Sequence, residues 1–305
     1  MYKFKTTERT KLFAITILTF FGLLFNSTFA EGKTLYEKSF EANSGELLNV
    51  KIMSGDIEVS SWDKNEVSII VTGDEDINEY LDFFFKKTDA GVEVKTEKKS
   101  SWSNWSSTPR FKVIAKVPQN FDTELKTSGG DIDAKMLNGK LELATSGGDV
   151  SIFDSKGEVL VRTSGGDVKS VNFDGPSTLR TSGGDIIVKN NNGSTEARTS
   201  GGDIKLSVSN GKVIGTTSGG DVELDYTGNN EGIDLTTSGG DIYLKLPSDF
   251  TADISLVSSG GEVKCNCFPI KIKEIKKSQF YGKLNNGGAE VQCKTSGGDI
   301  IVENK

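Results

Sequence analysis

Thr145-Ser146-Gly147-Gly148-Asp149 returns 18 residues later as Thr163-Ser164-Gly165-Gly166-Asp167, then as Thr181-Ser182-Gly183-Gly184-Asp185 and as Thr199-Ser200-Gly201-Gly202-Asp203. Eight copies end at Asp131, Asp149, Asp167, Asp185, Asp203, Asp221, Asp241 and Asp299, and the first six of these aspartates are 18 residues apart. A fixed period in this range marks a solenoid, in which each repeat buries its apolar face only by stacking on its neighbours.

The flanks of the motif define the coil. Eight and six residues before the aspartate stand Leu141 and Leu143, Val159 and Val161, Ser177 and Leu179, Thr195 and Ala197, Val213 and Gly215, Ile233 and Leu235. One and three residues after it stand Ile132 and Ala134, Val150 and Ile152, Ile186 and Val188, Ile204 and Leu206, Val222 and Leu224, Ile242 and Leu244. Each repeat therefore carries two short strands whose alternate residues point one way, into an interior. The expected fold is all-β: a single-stranded parallel β-solenoid of about 18 residues per coil, with two short strands per coil. An antiparallel meander would also place two strands and two turns in 18 residues, but it has no reason to repeat one corner so closely. Between the strands lie the Thr-Ser-Gly-Gly corner and a looser turn such as Lys156-Gly157, Gly175-Pro176 or Asn192-Gly193. Glycine is expected at both because tight bends often need positive φ.

Stacking sets like residues in columns. The threonines four before each aspartate, Thr127 through Thr295, fall on the inward side of the corner, where hydroxyls can bond along the stack. The aspartates lie about 4.8 Å apart, so each pair repels by about 0.9 kcal/mol in bulk water. Such a column must be solvated, paired or neutralised. Five residues before the aspartates stand Lys126, Arg162, Arg180, Arg198 and Lys294, which are the expected ion partners, and each aspartate is also expected to cap amides of its own corner as in an Asx turn. Calcium at Asp167, Asp185 and Asp203 is the alternative, since Gly-Gly-x-Gly-x-Asp nonapeptides also make 18-residue coils that bind calcium. Here the second half-repeat lacks the motif, so the oxygen cage is incomplete, and no metal or cofactor is assigned.

Outside the regular core, residues 31–120 alternate in the same way. Leu48, Val50, Ile52, Ile57 and Val59 surround Met53-Ser54-Gly55-Asp56, a worn copy of the corner. Tyr80 to Phe85 is an apolar cluster suited to a strand that caps an open end. Ser100 to Ser107 is serine-rich and holds Trp102 and Trp105, which are candidates for stacking on a sugar ring or a partner surface. Beyond Leu246 the period loosens, Ser258-Ser259-Gly260-Gly261-Glu262 varies the corner, and the repeat ending at Asp299 is expected to be a final capping coil.

At the N-terminus, Lys3, Lys5, Arg9 and Lys11 precede the apolar run Leu12 to Phe25, and the stretch closes on Thr28-Phe29-Ala30. This order is that of a secretory signal peptide over residues 1–30, cleaved after Ala30. Those residues carry four basic and one acidic side chain, so their removal takes the formal charge from −7 to −10. So acidic a chain is a poor match for nucleic acid, and after cleavage no further segment is apolar enough to cross a membrane. In an oxidising compartment Cys265 or Cys267 can pair with Cys293, leaving one thiol over. The sequence holds no histidine, which removes every Ser-His and Cys-His nucleophile arrangement. Eight near-equivalent aspartates do not offer the two distinct carboxyl environments that glycosidic cleavage needs. No catalytic residue is assigned.

The leader, the β-rich first third ending at Val117-Pro118, the serial Ser-Gly-Gly-Asp corners, and Lys283-Leu284-Asn285-Asn286-Gly287-Gly288 followed by Thr295 to Ile300 together resemble the putative adhesin family of exported bacterial proteins, a domain of unknown function. The resemblance covers nearly all of Glu31 to Lys305. It implies a β-solenoid at the cell surface or in the envelope, and it brings no catalytic residues. The expectation is a non-enzymatic exported protein, secreted, periplasmic or at the surface. Its partner would be a surface, a polysaccharide or an envelope protein, read by Trp102, Trp105, Arg162, Arg180 and Arg198. The competing expectation is a calcium- or carbohydrate-binding module.

Overall fold

The computed structural model describes residues 32–100, 110–266 and 270–305. The expected signal peptide, Trp102, Trp105 and Cys267 lie outside the described residues. Apart from one short helix, Ile77–Tyr80, the named elements are strands, and all of them join one continuous solenoid-like sheet. No helix of the described residues is long and apolar enough to cross a membrane.

Parallel pairing at the repeat spacing builds the body. Leu143 lies between Leu125 and Val161, and Val150 between Ile132 and Val168. The strand before each corner joins a first sheet and the strand after it joins a second, so each coil crosses from one sheet to the other at its Thr-Ser-Gly-Gly-Asp. Inward positions on both sheets are buried almost without exception, including Leu141, Leu143, Val150, Ile152, Leu179, Ala197, Ile204 and Leu235 at 0% exposure. Ser177 and Thr195 are buried in the same columns, and there Asn191 donates from Nδ2 to Thr195 Oγ1 at 2.7 Å.

The two bends use glycine for different reasons. At the second turn φ is positive at Asp154 (49°), Asn172 (56°) and Asn190 (57°), and again at Gly157 (122°), Gly175 (143°) and Gly193 (138°). Short polar side chains tolerate that region. They also stitch the turn: Asn172 Nδ2 donates to Asp154 Oδ1 at 2.7 Å, and Asn190 Nδ2 to Asn172 Oδ1 at 3.0 Å. The paired glycines of the Thr-Ser-Gly-Gly-Asp corners, by contrast, are absent from the positive-φ set, although the single Gly55 of the worn corner has φ 90°. Their requirement comes from stacking: a Cβ on Gly184 would sit 2.1 Å from the carbonyl oxygen of Gly166 in the preceding coil.

Spatial order departs from chain order at both ends. The coil of the worn corner at Asp56 stacks on the coil of Asp131 through Ile57↔Ile132 and Leu48↔Thr123. Outside it lies a coil that comes later in the chain, Gly91–Lys98 with Phe111–Pro118. At the other end the coil of Asp299 is not the final cap expected from its place in the sequence. Strands Glu290–Thr295 and Ile300–Asn304 insert between the coil of Asp241 and the coil of Glu262, which is outermost. The inserted coil is the more apolar one: Val291, Cys293, Ile300 and Val302 are at 0% exposure, whereas Val263 and Cys265 of the outer coil are only half-buried.

Antiparallel strands finish each end. Leu81–Thr88 extends the first sheet beyond Gly91–Lys98, while Glu66–Gly73 and then Lys33–Glu41 extend the second. Tyr36 packs 5.1 Å from Phe83 and 5.4 Å from Phe85, and Phe83 meets Phe111 edge-on at 5.2 Å, which draws the two sheets together over the end of the core. At the opposite end Gln279–Leu284 and Ile270–Lys276 extend the first sheet alone.

Candidate functional site

A solenoid presents function on its edges and outer faces, which here include the corner edge and the outer face of the first sheet. At the corner the aspartates do not cap their own turns. Each accepts, through Oδ1, the backbone N–H of the next corner residue in the stack, in an unbroken series Asp56, Asp131, Asp149, Asp167, Asp185, Asp203, Asp221, Asp241, Asp299 and Glu262, at 2.7–3.0 Å. Like charges stand in line because each is held by an amide dipole pointing at it, and at two of the aspartate corners the second oxygen has a side-chain partner as well: Asp241 Oδ2 accepts the Tyr243 hydroxyl at 3.0 Å and Asp203 Oδ2 lies 3.9 Å from Lys205 Nζ. The threonines run beside this column. Thr145, Thr163, Thr181 and Thr199 each donate to a glycine carbonyl of the preceding coil at 2.8–2.9 Å and are about 7% exposed.

Arginine is not the partner of the corner aspartates. Arg162, Arg180 and Arg198 are register neighbours on the outer face of the first sheet, whereas the aspartate oxygen points along the corner to the next amide. Closeness in sequence does not bring them together because the bend between them turns the chain from one sheet to the other. The carboxylate that gathers the arginines is Glu196, at 2.7 Å from both Arg180 Nη2 and Arg198 Nε. The Arg198 hydrogen bond, helped by Arg180 and opposed by partial burial, holds the Glu196 carboxyl below its usual range. Arg162 meets no carboxylate among the described residues, and Arg180 and Arg198 keep 46% and 44% of their side chains exposed. In sequence Glu196 differs from its column neighbours Thr178 and Ile214. Glu124, Glu142 and Asp234 share the column further along, so the signal by which the clamp could have been found is an acidic residue at the one position bordered by Arg180 and Arg198.

The sign of the pH effect follows from the direction of this shift. A carboxyl lowered in the fold contributes stability that is present above its ordinary value of 4.5 and is lost as pH falls through the folded value. Glu196→Gln is therefore expected to lower the melting temperature slightly at neutral pH, by under about 1 kcal/mol for a largely wet cluster. Melts run at descending pH should show the difference from the parent chain closing below the ordinary carboxylate range.

Asp167, Asp185 and Asp203 are members of the corner series, and among the described residues no group of three or more Cys, Asp or Glu is arranged to hold a metal ion. Cys293 is fully buried on the first sheet and Cys265 half-buried on the second, one coil further out, and neither is in a disulfide. No bridge joins these two in the structure, and Cys267, the other expected partner of Cys293, lies outside the described residues. Burial, with Asp234 and Cys265 nearby, pushes the Cys293 thiol up. Tyr226, also inside, is pushed up to about 12 by burial and then by Glu231, and its hydroxyl donates to Asn229 O at 2.6 Å.

Solved structures similar to this chain include one described as a putative cell adhesion protein from Clostridium sporogenes, 15% identical over 90% of this chain and 100% of that one, with a TM-score of 0.27. Another, described as a putative adhesin from Bacteroides fragilis, is 14% identical over 88% and 96% of the two chains, with a TM-score of 0.43. A third, described as a putative lipid binding protein from Parabacteroides distasonis, is 14% identical over 88% and 96%, with a TM-score of 0.39. No curated protein matches the sequence. The family model described as Toastrack DUF4097 matches residues 46–303, and with the corner series running from Asp56 to Asp299 inside that span, the chain belongs to the Toastrack DUF4097 family.

Proposed function

We propose that this protein is a non-enzymatic, exported β-solenoid of 18-residue coils that serves as a rigid adhesive or structural rod, reading an anionic surface polymer with the outer face of its first sheet. One observation carries the reading: Arg162, Arg180 and Arg198 stand in register on successive strands, half-exposed, with one shared carboxylate among three guanidiniums. Such a row repeats at the interstrand spacing of about 4.8 Å, and the planar guanidinium suits carboxylate, sulfate and phosphate groups. The corner edge, with its carboxylates each tied to an amide, is stitching that keeps the row straight. Inside, the buried polar residues such as Asn191 lie out of reach of any substrate.

The test is binding of the exported chain to a panel of envelope polysaccharides and proteins, with and without calcium. Arg162→Ala/Arg180→Ala/Arg198→Ala is expected to weaken binding to anionic polysaccharide at least about tenfold, since Arg anchors are worth more than 1 kcal/mol each. The melting temperature should stay nearly unchanged. Equal binding by the parent and the triple variant would end this reading.

A further inference from the structure

The two ends of the solenoid are finished unequally. At the end near Tyr36 both sheets carry extra strands and close over an aromatic cluster. At the end near Glu262 only the first sheet continues, by Gln279–Leu284 and then Ile270–Lys276, while the second stops at Val263–Asn266. Among the described residues the overhanging strand therefore has no sheet facing it.

Its sequence is Ile270-Lys271-Ile272-Lys273-Glu274-Ile275-Lys276. Residues directly opposite in an antiparallel pair share a face. Ile270 lies opposite Leu284, Ile272 opposite Gly282 and Ile275 opposite Phe280. Because Leu284 and Phe280 are buried at 3% exposure, the three isoleucines continue the core-facing side of the sheet past the point where the core ends. Ile272 is 54% and Ile275 63% exposed, two of the four large hydrophobic side chains exposed among the described residues. The half-buried Val263 and Cys265 border the same opening.

Charge identifies the occupant. Residues 262–283 carry six lysines against two glutamates, in a chain whose formal charge is −7. Lys276 pairs with Glu274 at 2.6 Å and Lys277 with Glu262 at 3.1 Å, whereas Lys271 and Lys273 have no ion pair among the described residues. A second copy docked end to end would set this basic tip against its own like charge. Lysine also disfavours pairing of an edge strand with another edge. Exposed isoleucines flanked by lysines are the composition that enters the interface of an anionic bilayer, apolar side chains among the acyl chains and ammonium groups at the headgroups.

We infer that the tip formed by Ile270–Lys276 docks the solenoid end-on to an anionic phospholipid surface. The inference concerns one end of the rod and stands whether or not the arginine face binds a polymer. The probe is sedimentation of residues 31–305, of which Gly32–Lys305 forms one compact unit, with phosphatidylglycerol/phosphatidylcholine vesicles and with phosphatidylcholine vesicles alone. Sedimentation with the anionic vesicles only is expected. Lys271→Gln/Lys273→Gln should weaken it about 30-fold, at about fivefold per lysine near the surface. Ile272→Ser/Ile275→Ser should abolish retention at moderate salt. Both variants alter exposed positions, and unchanged melting curves confirm their fold. Absence of sedimentation with anionic vesicles overturns the inference, as does binding that survives the isoleucine substitutions and is displaced by soluble polyphosphate. Dimers by gel filtration that disappear in the isoleucine variant and form without lipid would also overturn it, in favour of self-association. Arg162→Ala/Arg180→Ala/Arg198→Ala should sediment like the parent, which separates this site from the proposed polymer face.

Discussion

Gly184→Ala is expected to disrupt the middle coils, while Gly183→Ala, one residue earlier in the same corner, is expected to be nearly silent. The Cβ added at Gly184 would lie 2.1 Å from the Gly166 carbonyl oxygen, 2.5 Å from its carbon and 2.6 Å from Asp167 Oδ1. Two of these three are backbone atoms of the preceding coil, so no side-chain rotation relieves the overlap. The coils would have to separate, breaking the Thr181 and Asp185 hydrogen bonds to that coil. A cost of about 3 kcal/mol or more is expected, at or beyond the upper end for overpacking. At Gly183 the nearest atoms of the preceding coil are 3.6 Å away, an ordinary contact. Denaturant unfolding of the two variants checks the contrast. Because repeat arrays unfold in parts, amide exchange localised to the coils of Asp167 and Asp185 is the more direct readout.

Thr181→Val should be the next most damaging of these changes, and Thr181→Ser clearly milder. Valine keeps the volume and branching of threonine but can neither donate to Gly166 O, 2.8 Å away, nor accept from Gly184 N–H at 3.3 Å. Both backbone groups would be left unpaired beside a site only 7% exposed, at a cost of about 1–3 kcal/mol for each buried group. Serine keeps the hydroxyl and loses one methyl, about 1 kcal/mol. The variant coil at Ser258 already uses this exchange: its hydroxyl donates to Gly298 O at 2.8 Å and accepts from Gly261 N–H at 2.8 Å. Thermal melts of the valine and serine variants should therefore separate clearly, and equal melts would show the threonine column to be packing alone.

Both effects arise from contacts between coils, whose inward positions are legible in the sequence and whose polar partners are not. The inward positions were legible because a strand alternates with period two and the motif fixes its phase, so Leu179, Ala197 and even Thr195 could be placed inside from their distance to Asp185 and Asp203. The worn corner at Asp56 was legible for the same reason, and it accepts the Asp131 amide as the regular corners do. The direction of polar side chains was not legible. An aspartate beside a glycine pair looks like an Asx turn, and an arginine five residues away looks like its partner, until stacking supplies a nearer amide in the next coil. Glu196 does not stand out in the sequence because its value lies in having Arg180 and Arg198 on either side of it, a relation across 16 residues in one case and two in the other.

By itself the sequence determined the period, the two-sheet coil, the inward columns and the corner threonine stitch, because each follows from a local pattern repeated in register. Only the tertiary structure decided the order of the coils at the ends and the state of those ends. Every corner exposes the same amide and carboxylate to the next, so stacking chemistry alone does not distinguish chain neighbours from distant coils. Apolar burial makes the choice, taking the coil of Asp299, with Val291, Cys293, Ile300 and Val302 fully covered, into the stack and leaving the coil of Glu262 outside. That insertion leaves the Ile270–Lys276 strand overhanging at the tip, a surface that no period in the sequence announces.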